Sequence, residues 1–271
     1  MLLIHVVFRA SVAYAIAYAP NGGGLVRAHP ELGPPPAGAR AVSVAAGDAT
    51  IAAWVLAPPS PRATVVLLHG LRLDRRSLLP FAEKRHAAGY RAVLLDLPGH
   101  GESTGTHLGY GAPEARDVSQ LLDALHVAGP VGVFGYSYGG AVALHLAARD
   151  PRVHAVLTVS TFATPRRAVS DYERRYFPAW VPDRWVDDAL GDAAWIGAFD
   201  PDVTPTPSRA SVVLMHGGAD TQISPDNART LARAVPGARL VVLPGQSHAS
   251  MLGDPGGAVS DTALQLFASM R

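Results

Sequence analysis

The chain has 271 residues, 48% of them hydrophobic and 17% charged, with a formal net charge of +1. That length suits one large α/β domain or two small ones, and near-neutrality gives no field to attract nucleic acid or an acidic partner. Cysteine is absent, so disulfides, thiol nucleophiles and cysteine-ligated metals are excluded.

The chain opens on MLLIHVVFRASVAYAIAYAPN, an apolar run interrupted by His5 and Arg9. It falls short of the ~20 continuous apolar residues that a membrane-spanning helix needs. Ala17-Tyr18-Ala19 has the small-residue spacing of a signal cleavage site, yet no basic residue precedes the apolar run. A surface helix, a membrane anchor through residues 1–19 and a cleaved signal therefore all stay open, and with them cytoplasmic, membrane-associated and exported locations. Residues 20–40 are dense in Pro and Gly without periodicity and read as a linker or extended arm. This sets a division into an N-terminal arm, 1–40, and one domain, 41–271.

From residue 41 two periodicities alternate. AVSVAA and TIAAWVLA are strand-like, and Gly47-Asp48 between them signals a hairpin. ATVVLLH (63–69) is a continuous apolar run, as a strand covered on both faces should be. Helical patterns follow at 75–88, 113–128 and 138–149, interleaved with strand patterns in YRAVLLDLPG, VGVFGY and VHAVLTVS. SVVLMHG (211–217), a helix over 225–235, RLVVLPG (239–245) and a helix over 255–270 complete the series. Such alternation predicts an α/β fold, a mostly parallel twisted sheet with helices on both faces. Residues 161–209 break the rhythm with six prolines and three of the four tryptophans, Trp180, Trp185 and Trp195. They read as a short, mostly helical lid insertion, whose rings Tyr176, Trp180 and Trp185 are candidates for an acyl-binding wall.

The chemistry begins at VGVFGYSYGGAVALHLA (131–147). Gly135-Tyr136-Ser137-Tyr138-Gly139 is a G-x-S-x-G pattern set where a strand ends and a helix starts. A serine in so sharp a turn is lifted to the carboxyl edge of the sheet, beside the positive end of the helix dipole. Its hydroxyl is a poor nucleophile without a base, and the base needs an orienting acid. Two later strands end in loops that supply them: HGGAD carries Asp220 and GQSH carries His248, both at the same carboxyl edge. Of the eleven histidines, His248 alone follows a late strand in a Gly-rich polar loop. Asp192, Asp200 and Asp202, in the insertion, remain rivals for the acid. A tetrahedral intermediate needs backbone N–H donors, expected from Tyr138 and from Leu71 in the loop after LLHG.

LLHG (67–70), DLPGHGES (96–103), GYSYGG (135–140), HGGAD (216–220) and GQSH (245–248) together make the sequence resemble the α/β-hydrolase superfamily, in family order over residues 41–271. The branch it resembles is the serine esterase, lipase and aminopeptidase-like group with a small lid. The resemblance implies a Ser137, Asp220, His248 triad, oxyanion donors at Leu71 and Tyr138, and a loop-shaping role for Asp96. It implies no cofactor and no metal. The expected function is cleavage of small-molecule carboxylic esters through an acyl-enzyme. A peptidase, thioesterase or acyltransferase on the same triad is the first alternative, and a non-catalytic binding module on the same scaffold is the second.

Overall fold

The computed structural model describes residues 2–21, 33–207 and 209–270. Most of the expected linker lies outside the described residues. Strands β1 (Ala39–Ala46) and β2 (Ala49–Leu56) form the hairpin expected at Gly47-Asp48, paired antiparallel from Ala46↔Ala49 outward. Strands β3 (Thr64–Leu68), β4 (Arg91–Leu95), β5 (Val131–Tyr136), β6 (Val153–Val159), β7 (Ser211–Gly217) and β8 (Arg239–Leu243) pair in parallel. The order across the sheet is β1-β2-β4-β3-β5-β6-β7-β8, with β2 antiparallel to β4. The central strands β3 and β5 are buried along their whole length, which is why they read as unbroken apolar runs.

Helices cover both faces. On one side Val66, Leu68, Val93 and Val133 pack beneath α3 (Ala112–Ala124) and α4 (Tyr138–Arg149). On the other, Val65, Leu67, Leu94 and Phe134 pack beneath α2 (Leu79–Ala87) and the C-terminal helix Ala258–Ala268. Each fully buried aliphatic side chain in these layers contributes about 1.5–3 kcal/mol. The single helix expected at 75–88 is a short 3-10 turn, Arg75–Leu78, running into α2, with Pro80 in the first turn of α2. The Asp74 side chain caps the turn by accepting from the Arg76 N–H.

Two helices, α5 (Pro165–Tyr176) and α6 (Asp183–Ile196), fill the break between β6 and β7. Of the readings open for the first stretch, the structure shows a helix: Leu2–Ala17, α1, packs along α6. The two residues that interrupt its apolar run make the contact. Arg9 forms a fork of two 2.6 Å bonds to Asp192, and His5 stacks on Trp185 at 4.8 Å. Ala13, Ile16 and Ala17 are buried in the core, whereas Leu3, Ile4, Val6 and Val7 face outward. Beyond the helix, the Ala19 N–H donates to Thr106 and the Leu108 N–H to Ala17, tying the segment to the loop before α3. Among the described residues no helix is long and apolar enough to cross a membrane.

Candidate active site

Ser137 sits between β5 and α4 with φ 52° and ψ −114°, a left-handed backbone that costs a non-glycine residue on the order of 1–3 kcal/mol. The fold holds it there. The Ser137 N–H donates to Val159 at 2.8 Å, and its carbonyl accepts from Thr161 Oγ1 at 2.7 Å. The flanking glycines are required by close approach: a Cβ on Gly135 would lie 2.3 Å from the Gly139 carbonyl, and one on Gly139 2.2 Å from that of Leu68.

His248 arrives after β8, not in an open loop as expected but as the first residue of a short helix, α8 (His248–Gly253). Ser247 caps that helix by accepting from the Ser250 N–H. His248 is 7% exposed, and the Tyr136 hydroxyl donates to its carbonyl at 3.0 Å. His248 Nε2 lies 3.1 Å from Ser137 Oγ, and Nδ1 lies 2.7 Å from Asp220 Oδ2. With its proton on Nδ1 donated to the carboxylate, the ring presents a lone pair to the serine hydroxyl. Asp220 follows β7. Asp220 Oδ1 accepts the N–H groups of Gln222 and Ile223, each at 2.9 Å. Burial pushes the Asp220 carboxyl up, but hydrogen bonds from His216 and His248 overcome it and hold the group well below the usual carboxylate range.

The three residues singled out in the sequence are thus joined in one hydrogen-bonded chain. The rival acids are committed elsewhere: Asp192 to Arg9, Asp202 to Arg166, and Asp200 to the Asp202 N–H. Leu71 lies on the loop after β3, which touches Ser137; a Cβ on Gly70 would sit 3.4 Å from Ser137 Cβ. The N–H groups of Leu71 and Tyr138 have no acceptor among the described residues. Asp96 is a loop residue, as the resemblance implied: it pairs with the buried Arg75 guanidinium and accepts the Glu102 N–H at 2.8 Å.

The three insertion rings differ in their surroundings. Trp185 is buried against His5 and Phe8 of α1, while Trp180 is 71% exposed. Tyr176 stacks on Tyr172 at 5.8 Å, and the Tyr172 hydroxyl accepts from Gln222 Nε2 two residues beyond Asp220. A recess of about 320 Å3 beside Asp220 is lined by Asp171, Arg174, Arg175, Thr221 and Ser224. A larger one of about 600 Å3, between the β1–β2 hairpin and the end of α6, is lined by none of Ser137, Asp220 and His248.

Two residues that the sequence reading passed over belong to this site. His216, fully buried at the end of β7, donates from Nε2 to the Ile223 carbonyl at 2.9 Å and lies 3.3 Å from Asp220 Oδ2. It stood in plain view in HGGAD, but strand-end histidines carry no local signal of their partners. Glu114, near the start of α3, bonds the Tyr138 hydroxyl at 2.5 Å. Its signal was G-A-P-E, a helix-start pattern with proline in the first turn and glutamate at the third position.

Comparison with known proteins agrees with the fold. Residues 65–262 match the model of the Alpha/beta hydrolase family, and the chain belongs to that family. Over 103 residues it is 39% identical to the pimeloyl-[acyl-carrier protein] methyl ester esterase of Xanthomonas campestris pv. campestris, a match covering 38% of this chain and 37% of that protein. The chain thus spans little more than a third of the length of such curated relatives. The solved esterase Pf2001 of Pyrococcus furiosus superposes with a TM-score of 0.66 at 18% identity, covering 86% of this chain and 93% of that one. The enol-lactonase of Burkholderia xenovorans LB400 gives 0.63 at 23% identity, over 84% and 100%. Esterases are thus among the proteins that this chain resembles in part of its sequence and in its fold.

Proposed function

We propose that the protein is a serine carboxylesterase. The observation that carries this reading is the unbroken chain Ser137 Oγ, His248 Nε2, His248 Nδ1, Asp220 Oδ2, at 3.1 and 2.7 Å. In the first half-reaction His248 accepts the Ser137 proton as Oγ adds to the acyl carbon. The carbonyl electron pair moves onto oxygen, which the N–H groups of Leu71 and Tyr138 receive. Return of the pair expels the alkoxide, and His248 protonates it. Water then repeats the sequence on the acyl-enzyme, releasing acid and free Ser137. Asp220 holds the ring tautomer and stabilises the imidazolium. The ester-cleaving names of the Xanthomonas relative and of the Burkholderia neighbour support an ester rather than an amide substrate.

Labelling with a fluorophosphonate probe and turnover of a panel of p-nitrophenyl esters test the reading. Label on Ser137 with ester turnover supports it. Preferential cleavage of an aminoacyl amide replaces it with a peptidase, and no label with no turnover leaves a binding module. The pH profile should follow from Asp220 staying ionised. kcat/KM is expected to fall about tenfold per unit on the acid side, with unit slope, because one group alone must lose its proton. A slope of two would contradict a single histidine base.

The helices α5 and α6 are the proposed lid, and Tyr176 of the three expected rings is the one linked to the triad rim through Tyr172. Tyr176→Ala is expected to change relative kcat/KM between short and medium acyl chains by about 10-fold, the low end for one wall group. Trp185→Ala should instead lower thermal stability across all substrates, since its ring packs on α1. A uniform loss of activity in Tyr176→Ala would place the acyl wall elsewhere.

A further inference from the structure

The residue after the nucleophile carries a hydroxyl that packing does not require. Tyr138 is 2% exposed, edge-to-face with Tyr110 at 5.5 Å and tilted against Phe162 at 6.4 Å. A phenylalanine would fill the same space. Yet the phenol is held twice: it donates to Glu114 Oε1 at 2.5 Å and accepts from the Tyr110 N–H at 3.0 Å. Glu114, itself 2% exposed, also accepts the Gly109 N–H at 2.7 Å and the Gly111 N–H at 2.8 Å. All three of these partners donate, as a buried carboxylate demands. Burial, and then the Glu114 carboxylate, push the Tyr138 phenol well above its ordinary range, so it stays a donor. The loop that supplies these N–H groups is braced from α1, where the Tyr110 hydroxyl donates to the Ile16 carbonyl at 3.0 Å.

The peptide between Ser137 and Tyr138 explains the need. Its carbonyl end is fixed by Thr161 Oγ1 at 2.7 Å and by the Gly140 N–H at 2.9 Å. Its N–H end must stay without an acceptor if it is to receive an oxyanion, so no resting hydrogen bond can aim it. The strained φ of 52° at Ser137 loads the same peptide toward relaxation. The Tyr138 side chain is the remaining handle.

We propose that Glu114 is a positioning residue: by gripping the Tyr138 hydroxyl it sets the angle of the Tyr138 N–H toward the oxyanion of the tetrahedral intermediate. The inference rests on the acyl-transfer reading above. The alternative is that Glu114 merely caps α3 through Gly109 and Gly111. Tyr138→Phe separates the two, because it cuts the grip and leaves both backbone bonds in place.

The test uses the full chain, with Tyr138→Phe and Glu114→Gln. It measures kcat and KM on a p-nitrophenyl ester, melting temperature, and inhibition by a trifluoromethyl ketone. Ser137 adds to that ketone as its proton passes to His248, giving a hemiketal oxyanion that reports on the donors. Tyr138→Phe is expected to lower kcat about tenfold with KM within about twofold, and to weaken the ketone by the same factor. Glu114→Gln, which keeps an acceptor oxygen but loses the charge, should fall between it and wild type. Should Glu114→Gln fail to fold, Tyr138→Phe decides by itself. A folded Tyr138→Phe with wild-type kcat and wild-type ketone affinity overturns the inference. So does a fall in kcat that ketone affinity does not follow. If wild-type Ser137 takes no fluorophosphonate label, the acyl-transfer reading falls and this inference falls with it. Label on wild type together with an unaffected Tyr138→Phe defeats the inference alone.

Discussion

Ser137→Ala and His248→Ala are each expected to lower kcat by on the order of 10³-fold or more, with the fold intact. Alanine at 137 keeps the β5–α4 turn, because its two backbone anchors, to Val159 and from Thr161, involve no Ser137 side-chain atom. The melting temperature should therefore move little. The double variant should be hardly worse than either single one, since the hydroxyl is inert without its base and the base idle without its nucleophile. Residual activity would come from substrate binding and the oxyanion donors. Steady-state kinetics on a p-nitrophenyl ester check this, and a Ser137→Ala variant keeping more than about a tenth of wild-type kcat would remove Ser137 from the mechanism.

The second large effect concerns acid. His69 is fully buried at the end of β3; its Nε2 accepts the Leu97 N–H at 3.0 Å, and its Nδ1–H donates to the Gly70 carbonyl at 2.8 Å. A second proton would destroy the bond to Leu97. Burial pushes His69 down to about 4, against the raising effect of the Gly70 carbonyl. His100, 1% exposed with Nε2 lacking a partner among the described residues, is pushed down to about 3 by burial and by neighbouring His69. Both pKa values are lower folded than unfolded, near 6.5. The unfolded chain therefore binds more protons as pH falls through that value. Their contribution to stability is therefore expected to be full above about pH 6.5 and to decline toward pH 4 and 3, by about 2 kcal/mol for each histidine at pH 5.

Asp117, pushed up to about 7 mainly by burial, works in the opposite sense: it favours the folded state as pH falls. A difference measurement removes that offset. Urea unfolding at pH 7.5 and pH 5 should show a drop about 2 kcal/mol smaller in His100→Gln than in wild type. Equal drops would mean that His100 is protonated in the folded protein. Asp220 adds a separate, lower window. Its folded pKa is depressed, so its contribution is present above the unfolded carboxylate range and is lost below about pH 4.

Much of this architecture is written locally. A strand buried on both faces must be apolar throughout, so β3 and β5 declare themselves. The turn at Ser137 admits no side chain at 135 or 139, so its glycines are visible in any reading. Because successive parallel strands end at one edge, the loops carrying Asp220 and His248 could be assigned to that edge before any contact was known. Other features were illegible for an equally physical reason. Helix α8 has six residues, too few for a periodic signal. In α1, His5 and Arg9 read as flaws in an anchor, yet they are the docking contacts to Trp185 and Asp192. Asp192, in turn, read as a rival catalytic acid.

Sequence by itself therefore determined the alternation of strands and helices, the strained serine turn and the strand ends bearing Asp220 and His248, because each depends on periodicity or on crowding between near neighbours. Tertiary structure alone decided which distant charged and polar side chains meet. The pairing of Arg9 with Asp192 spans 183 positions, and the grip of Glu114 on Tyr138 spans 24. Such pairs are set by strand order and by where the α5–α6 insertion folds back. A buried charge is tolerable only where a partner arrives from elsewhere in the chain, and no local pattern records that arrival.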